Sequence, residues 1–203
     1  MQYRKDGSEI AAELRNRICM MQSVADTITL HEGALATEFG VSRTPIRQVL
    51  QKLAYERLVE TRSGVGTIVA PLTPAQRNQD VQVLKAMFIA AASCCAALDV
   101  SSKLRDRLAV LYTMAKAAEP SKETYLELRA LLLDYTANAA PDAILADALR
   151  AAHWRHIRWR MAENAYDDPD AHVRLCATLE VCAQAAQENK MGAIYTELAD
   201  RLI

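Results

Sequence analysis

The segment Phe39-Gly40-Val41-Ser42-Arg43-Thr44-Pro45-Ile46-Arg47 sets two helices against each other. Glycine at position 40 ends the first helix, because it tolerates the left-handed backbone such an end requires. Val41 then turns toward the core and Ser42 is placed to cap the next helix. Pro45 falls in that helix's first turn, where a missing N–H does no harm. Ile46, Val49, Leu50 and Leu53 follow at helical spacing and form a buried stripe. The opposite face presents Arg43, Thr44, Arg47, Gln48 and Gln51. A tight turn followed by a helix with such an exposed face is a helix-turn-helix pattern.

Upstream, Ser8 is the expected cap of a first helix carrying Ile10, Leu14, Ile18 and Met21. A polar break, Gln22 to Thr29, precedes a short helix from about Glu32 that buries Leu35, Ala36 and Phe39, with His31 at its start. Downstream lie two β-type runs, Leu58-Val59-Glu60-Thr61 and Thr67-Ile68-Val69-Ala70. Arg62-Ser63-Gly64-Val65-Gly66 joins them as a glycine-containing hairpin. Three helices and a hairpin make a winged helix. Pro71-Leu72-Thr73-Pro74 reads as a linker, with Thr73 able to cap the next helix. Beyond it the pattern is helical throughout, over about 75–98, 102–118, 121–139, 142–165, 170–188 and 190–202. The expected fold is mainly α: a winged helix-turn-helix domain at 1–72, then an all-helical bundle of about six helices at 75–203.

Composition agrees with packed helices, since 51% of residues are apolar and only 5% aromatic. The net charge of −1 does not advertise a polyanion partner. Residues 1–75 hold nine Lys/Arg against eight Asp/Glu, and residues 76–203 hold fifteen against seventeen. Any affinity for nucleic acid must come from placement of cations, not bulk charge. The cysteines at 19, 94, 95, 176 and 182 form no Cys-x-x-Cys pair and are expected as buried free thiols. The first ten residues include Arg4, Lys5, Asp6 and Glu9 and lack an apolar signal core. No long uncharged run suits a bilayer. A cytoplasmic location is expected.

Arg43 and Arg47 are four apart and point the same way, so each can fork onto guanine O6/N7 or clamp a phosphate. Thr44 can reach a thymine methyl or a phosphate oxygen, and Gln48 extends the same surface. Lys52 and Arg62 suit backbone contacts that fix register. Taken alone, two arginines at this spacing are an ordinary solvated face; the turn, the cap, the proline and the hairpin make the difference. Together with Leu35-Ala36, Leu50-x-x-Leu53, Leu58-Val59 and Gly64-x-Gly66, the motif resembles the GntR family of regulators over residues 8–72. That resemblance implies a homodimer on a two-fold-related double-stranded DNA operator, with Arg43, Thr44 and Arg47 reading DNA and Gly66 at the wing tip. The chain departs from the family at three places. No Pro-Gly occurs around Ala25-Asp26, Gln48 stands where Glu is usual, and Arg57 stands where Gly is usual.

The second part resembles the FadR-like (FCD) branch in its shorter, VanR-type form. This implies a bundle that binds a small-molecule effector and dimerises. The branch often holds a metal with one Asp and three His, but the matching positions here look like Asp134 and Asn138, without histidine near Leu179–Glu180 or Arg201. The Arg and Glu of the branch's first bundle helix look replaced by Lys85 and Ile89. Asn is a poor transition-metal ligand, so no metal and no cofactor is expected. Histidine lies instead in His153-Trp154-Arg155-His156-Ile157-Arg158-Trp159-Arg160. One reading makes this a packed helix with locally satisfied histidines. Another makes His156, Arg155, Asp134 and Asn138 the lining of a pocket for an anionic effector. His172 is expected on the surface at a helix start.

Other readings stay open: a wingless helix-turn-helix repressor of TetR type, a constitutive DNA-binding dimer, or an enzyme built on the bundle. The hairpin at 58–70 opposes the first. The last lacks paired carboxylates, a Cys–His arrangement or a phosphate-binding glycine loop, so no enzyme is expected.

Overall fold

The computed structural model describes residues 6–21 and 28–202. Residues 22–27, which hold most of the expected polar break and the site of the missing Pro-Gly, lie outside the described residues, as do residues 1–5 and Ile203.

Helix α1 (Gly7–Met20) starts from Asp6, not Ser8. Asp6 Oδ1 accepts from the amides of Ser8 at 2.7 Å and Glu9 at 2.9 Å, and Glu9 accepts from the Asp6 amide at 2.8 Å. This reciprocal capping box makes Ser8 a capped residue, not the cap. Ile10, Leu14 and Ile18 are buried as expected, together with Ala11 and Cys19.

Helix α2 (Glu32–Phe39) ends where Gly40 takes φ +64°. The Val41 amide donates back to Ala36 O at 3.0 Å and the Gly40 amide to Thr37 O at 3.3 Å. These two bonds form a Schellman end that turns the chain into α3 (Arg43–Tyr55). Ser42 occupies the cap position of α3 without a side-chain hydrogen bond.

The wing is a three-stranded antiparallel sheet, not a lone hairpin. Strands β1 (Thr29–Leu30), β2 (Val59–Arg62) and β3 (Gly66–Val69) lie in the order β1-β3-β2, with Thr29 opposite Ile68 and Leu30 opposite Thr67. A two-residue strand leaves no periodicity in a sequence, which is why β1 read as part of a break.

Arg57, just before β2, has φ +59°. It stands where the family resemblance expects Gly, and a side chain in left-handed backbone costs about 1–2 kcal/mol. Arg57→Gly should therefore raise the melting temperature by roughly 2–4 °C. A lower melting temperature would mean that the Arg57 side chain contributes more than its backbone costs.

A short 3-10 turn (Pro74–Gln76) leads into the bundle, and Thr73 precedes it without capping it by its side chain. The bundle comprises α4 (Arg77–Cys94), α5 (Ser102–Ala117), α6 (Lys122–Ala139), α7 (Ala143–Ala162), α8 (Ala171–Gln187) and α9 (Met191–Arg201). Ser101, Ser121 and Asp142 cap α5, α6 and α7. Asn164 at φ +53° closes α7 ahead of the expected end at 165. Packing pairs α4 with α9, α5 with α8, and α6 with α7, while α7 also meets α4 and α1. Gly192 lets α9 approach α4, since a Cβ there would lie 2.9 Å from the Ala92 carbonyl oxygen.

Helix α7 is buried nearly all round over its second half: Ala152, His153, Trp154, His156, Ile157, Arg158, Trp159 and Met161 are all inside. A helix with no wet face lies at the centre of its fold. Among the described residues no helix is long and apolar enough to cross a membrane. Cys19, Cys95 and Cys182 are buried, but Cys176 is only half-buried and Cys94 is exposed, which corrects the expectation of five buried thiols. Burial pushes the Cys19 and Cys182 thiols up to about 12.

Candidate functional site

The buried stripe Ile46, Val49, Leu50 and Leu53 fixes the rotation of α3, and this leaves Arg43, Thr44, Arg47, Gln48 and Gln51 exposed. Two of these cations lean back on α2. Arg47 Nη2 and Nε donate to the two carboxylate oxygens of Glu32 at 3.0 and 3.2 Å. The Arg43 guanidinium lies across Gly33, with Nη2 3.4 Å from where a Cβ would stand. The hydrogen bond from Arg47 holds the Glu32 carboxyl below its ordinary range, and Glu32 in turn raises Arg47. Sequence reading missed Glu32, because its partner is fifteen residues away and the angle between α2 and α3 brings them together.

On the wing, Arg62 pairs with Gly66 across the hairpin, and its Nε donates to Glu60 at 2.7 Å. The tip is Ser63-Gly64-Val65, so Gly66 sits one step inside it, starting β3 at φ +106°. Lys52 does not group with Arg43 and Arg47. It lines a cleft of about 890 Å³ between α1, α3, α6 and α7, together with Arg15, Glu56 and Trp154. His31 precedes α2 without a side-chain capping bond.

The four residues expected to line one effector pocket lie in three places. Asp134 and Asn138 are on the rim of the same cleft, with Asn138 donating to Asp134 at 2.8 Å and accepting from Arg150 at 2.8 Å. Arg155 is drawn to the other side of α7, where its Nη2 is 3.0 Å from Asp80. His156 is inside the bundle with His153 and Arg129. Neighbours at helical spacing point to different sides once a helix is buried all round. His172 is half-buried in the first turn of α8, its Nε2 2.9 Å from the carbonyl oxygen of Ala115. Among the described residues no group of three His, Cys, Asp or Glu is placed to hold a metal ion.

Helix α7 also joins the winged helix to the bundle. Arg15 of α1 makes a two-pronged ion pair with buried Glu56, both bonds 2.7 Å, while its guanidinium lies 5.7 Å from the centre of a Trp154 ring. Arg158 donates to the carbonyl of Ala70 at the end of the wing, and Trp159 Nε1 donates to Asp80 at 3.0 Å.

A helix pair locked by a Schellman turn, an exposed arginine face and a three-stranded wing define a winged helix-turn-helix, here joined to a helical bundle. Residues 7–69 match the family described as bacterial regulatory proteins, gntR family. Over these residues the chain is similar to the gntR family. It is 38% identical over 85 residues to the gluconate operon transcriptional repressor of Bacillus licheniformis, covering 41% of this chain and 34% of that one. It is 38% identical over 61 residues to MngR, the mannosyl-D-glycerate transport/metabolism system repressor of Escherichia coli (strain K12), covering 30% and 25%. These matches thus span about a third or less of the curated relatives' length. Similar folds over nearly the whole chain are E. coli McbR/YncC (14% identity, 95% of this chain and 93% of that one, TM-score 0.62) and a GntR protein of Rhodococcus sp. RHA1 (16%, 96% and 93%, 0.58).

Proposed function

We propose that this protein is a transcription regulator that binds a two-fold-related DNA operator as a homodimer, most simply as a cytoplasmic repressor without enzymatic activity. Residues 1–72 form its DNA-binding domain and residues 75–203 its effector-binding and dimerisation domain, of the FadR-like branch in the shorter VanR-type form. The observation that carries the reading is the Arg43-Thr44-x-x-Arg47 face of α3, exposed on a helix whose opposite side is fully packed. Arg43, Thr44, Arg47 and Gln48 contact base edges and adjoining phosphates, while Arg62 and the backbone from Gly64 to Gly66 contact the flanking groove. Lys52 is left to the cleft.

The contacts of α7 support coupling. An effector that shifts α7 acts on Trp154 and Arg158, and through them on Arg15 and the end of the wing. Only different affinities for the two arrangements can make that shift regulatory.

Selection of bound sequences from a random DNA pool tests the reading. Enrichment of two related half-sites at one helical repeat is expected, and recovery of unordered sequences would overturn it. The Glu32–Arg47 pair adds a sharper expectation. Arg47 is well exposed and Glu32 only half-buried, so the pair itself is weak. Yet Glu32 occupies the guanidinium that should reach DNA and places a negative charge beside phosphates. Glu32→Gln should tighten operator binding about two- to fivefold, measured as Kd at fixed salt. Weaker binding would instead show that Glu32 positions Arg47 for contact.

A further inference from the structure

We propose that the cleft at the foot of the wing binds the phosphate group of a small polar molecule, held by Arg57, Arg155 and Arg158. Its regulatory consequence rests on reading the chain as a DNA-binding regulator; the site itself does not.

The cleft has a volume of about 510 Å³. Its walls come from the foot of the wing (Arg57 and Glu60), the linker (Thr73), and helices α4 and α7 (Asp80, Arg155 and Arg158). Val59 pairs with Val69 at this end of the hairpin, whereas Arg62 pairs with Gly66 next to the tip. The cleft therefore lies roughly 10 Å behind the tip, away from a DNA phosphate that the tip would touch.

Each guanidinium leaves hydrogen-bonding capacity unused. Arg158 is 4% exposed, yet it meets no carboxylate among the described residues; its partner is the Ala70 carbonyl oxygen. Burial works against its charge, and arginine does not relieve that by shedding its proton. Arg155 gives Nη2 to Asp80 at 3.0 Å, but its Nε is buried without a hydrogen-bond partner. Arg57 is exposed and makes no ion pair among the described residues. It also stands in left-handed backbone at φ +59°, which glycine would adopt without penalty. A side chain kept in strained backbone points to a use for that side chain.

The two carboxylates of the cleft do not cancel these charges. Asp80 accepts from Arg155 and, at 3.0 Å, from Trp159 Nε1, while Glu60 accepts at 2.7 Å from Arg62, which is not part of the lining. Arg57 and Arg158 are left over. Their combined charge matches a phosphate monoester, which carries about −1.5 to −2 near neutral pH. Guanidinium groups hold such an ester through paired N–H bonds, whereas a monocarboxylate brings less charge and fewer acceptor oxygens. Thr73 and Gln76 also line the cleft and can bond hydroxyl groups on the rest of the ligand. No aromatic ring is among the described residues lining it, so a nucleobase would have nothing to stack on. A ligand placed here ties the foot of the wing to α4 and α7, and so fixes how the winged helix sits on the bundle.

Melting of the full chain at pH 7.5 and fixed ionic strength, with glycerol 3-phosphate, inorganic phosphate, acetate or glycerol, tests this. Glycerol 3-phosphate at a hundredfold excess over its Kd should raise Tm by roughly 5–10 °C. Inorganic phosphate should bind more weakly, and acetate and glycerol should have no effect. Equal binding of inorganic phosphate would overturn the organic part of the assignment. Arg57→Gly removes one guanidinium and relaxes the backbone. It should therefore fold and melt higher than wild type without ligand, yet bind glycerol 3-phosphate about tenfold more weakly or worse. Arg47→Ala, on the exposed face of α3, should keep the full response. No response in wild type, an undiminished one in Arg57→Gly, or one lost in Arg47→Ala would each overturn the site. Saturating ester should also change the operator Kd about fivefold or more; an unchanged Kd would overturn the regulatory consequence alone. If the ester binds but operator selection fails, the site stands and the DNA-binding reading falls. If selection succeeds and no ester binds, the reverse holds.

Discussion

Replacing Arg47 by alanine should lower affinity for a selected operator roughly five- to a hundredfold and leave the melting temperature almost unchanged. The asymmetry follows from where Arg47 sits. Its side chain is 63% exposed and its partner Glu32 is 32% exposed, so the ion pair is largely screened and contributes little to folding. On the proposed reading, a guanine edge or a phosphate would give the same guanidinium a two-pronged acceptor. Arg47→Lys should not restore full affinity, because an ammonium cannot fork onto a base edge. Lys52→Ala should cost much less than Arg47→Ala, given that Lys52 faces the cleft. Titration of labelled operator at fixed salt checks all three. Undiminished binding by Arg47→Ala would sink the assignment of α3 as the recognition helix.

The second large effect is acid instability set by His153 and His156. Burial comes first among the causes, and Arg129 next, pushing His153 down to about 3 and His156 well below the usual value near 6.5. Below pH 6.5 the unfolded chain takes up protons that the folded chain refuses, so stability falls as pH falls. The loss continues down to the folded values, at about 1.4 kcal/mol per pH unit for each imidazole. Above pH 6.5 both states hold neutral rings and the contribution is flat. The charged groups bearing on the pair are Arg129 and Arg160, both cationic, so no neighbour among them offsets the effect. Melting between about pH 7.5 and 5 should show a steep decline that His153→Gln roughly halves. A flat profile over that range would mean the imidazoles reach water or an anion.

What the sequence revealed depended on how local the cause was. Gly40, the stripe from Ile46 to Leu53 and the six bundle helices are each written within a few residues. So is the strain at Arg57, where a side chain replaces the expected glycine. Strand β1 was too short to register, and Asp6 outcompeted Ser8 as a cap through Glu9, three positions on. The pair Glu32–Arg47 needed the angle between two helices. Arg129 was hidden for a different reason. In Lys122-Glu123-Thr124-Tyr125-Leu126-Glu127-Leu128-Arg129 it looks like one more charge on a wet face. Only the rotation of α6 turns it inward, away from Asp134 and Asn138, which the pattern favoured.

The chain has two tryptophans, Trp154 and Trp159, and both are on α7. One indole is buried against Arg15 of the winged helix, and the other is anchored to Asp80 just past the linker. The tryptophan emission of this chain, excited selectively over its seven tyrosines, therefore comes from the joint. Quenching or a spectral shift on adding DNA or a small phosphate ester would report movement there directly, in unlabelled protein.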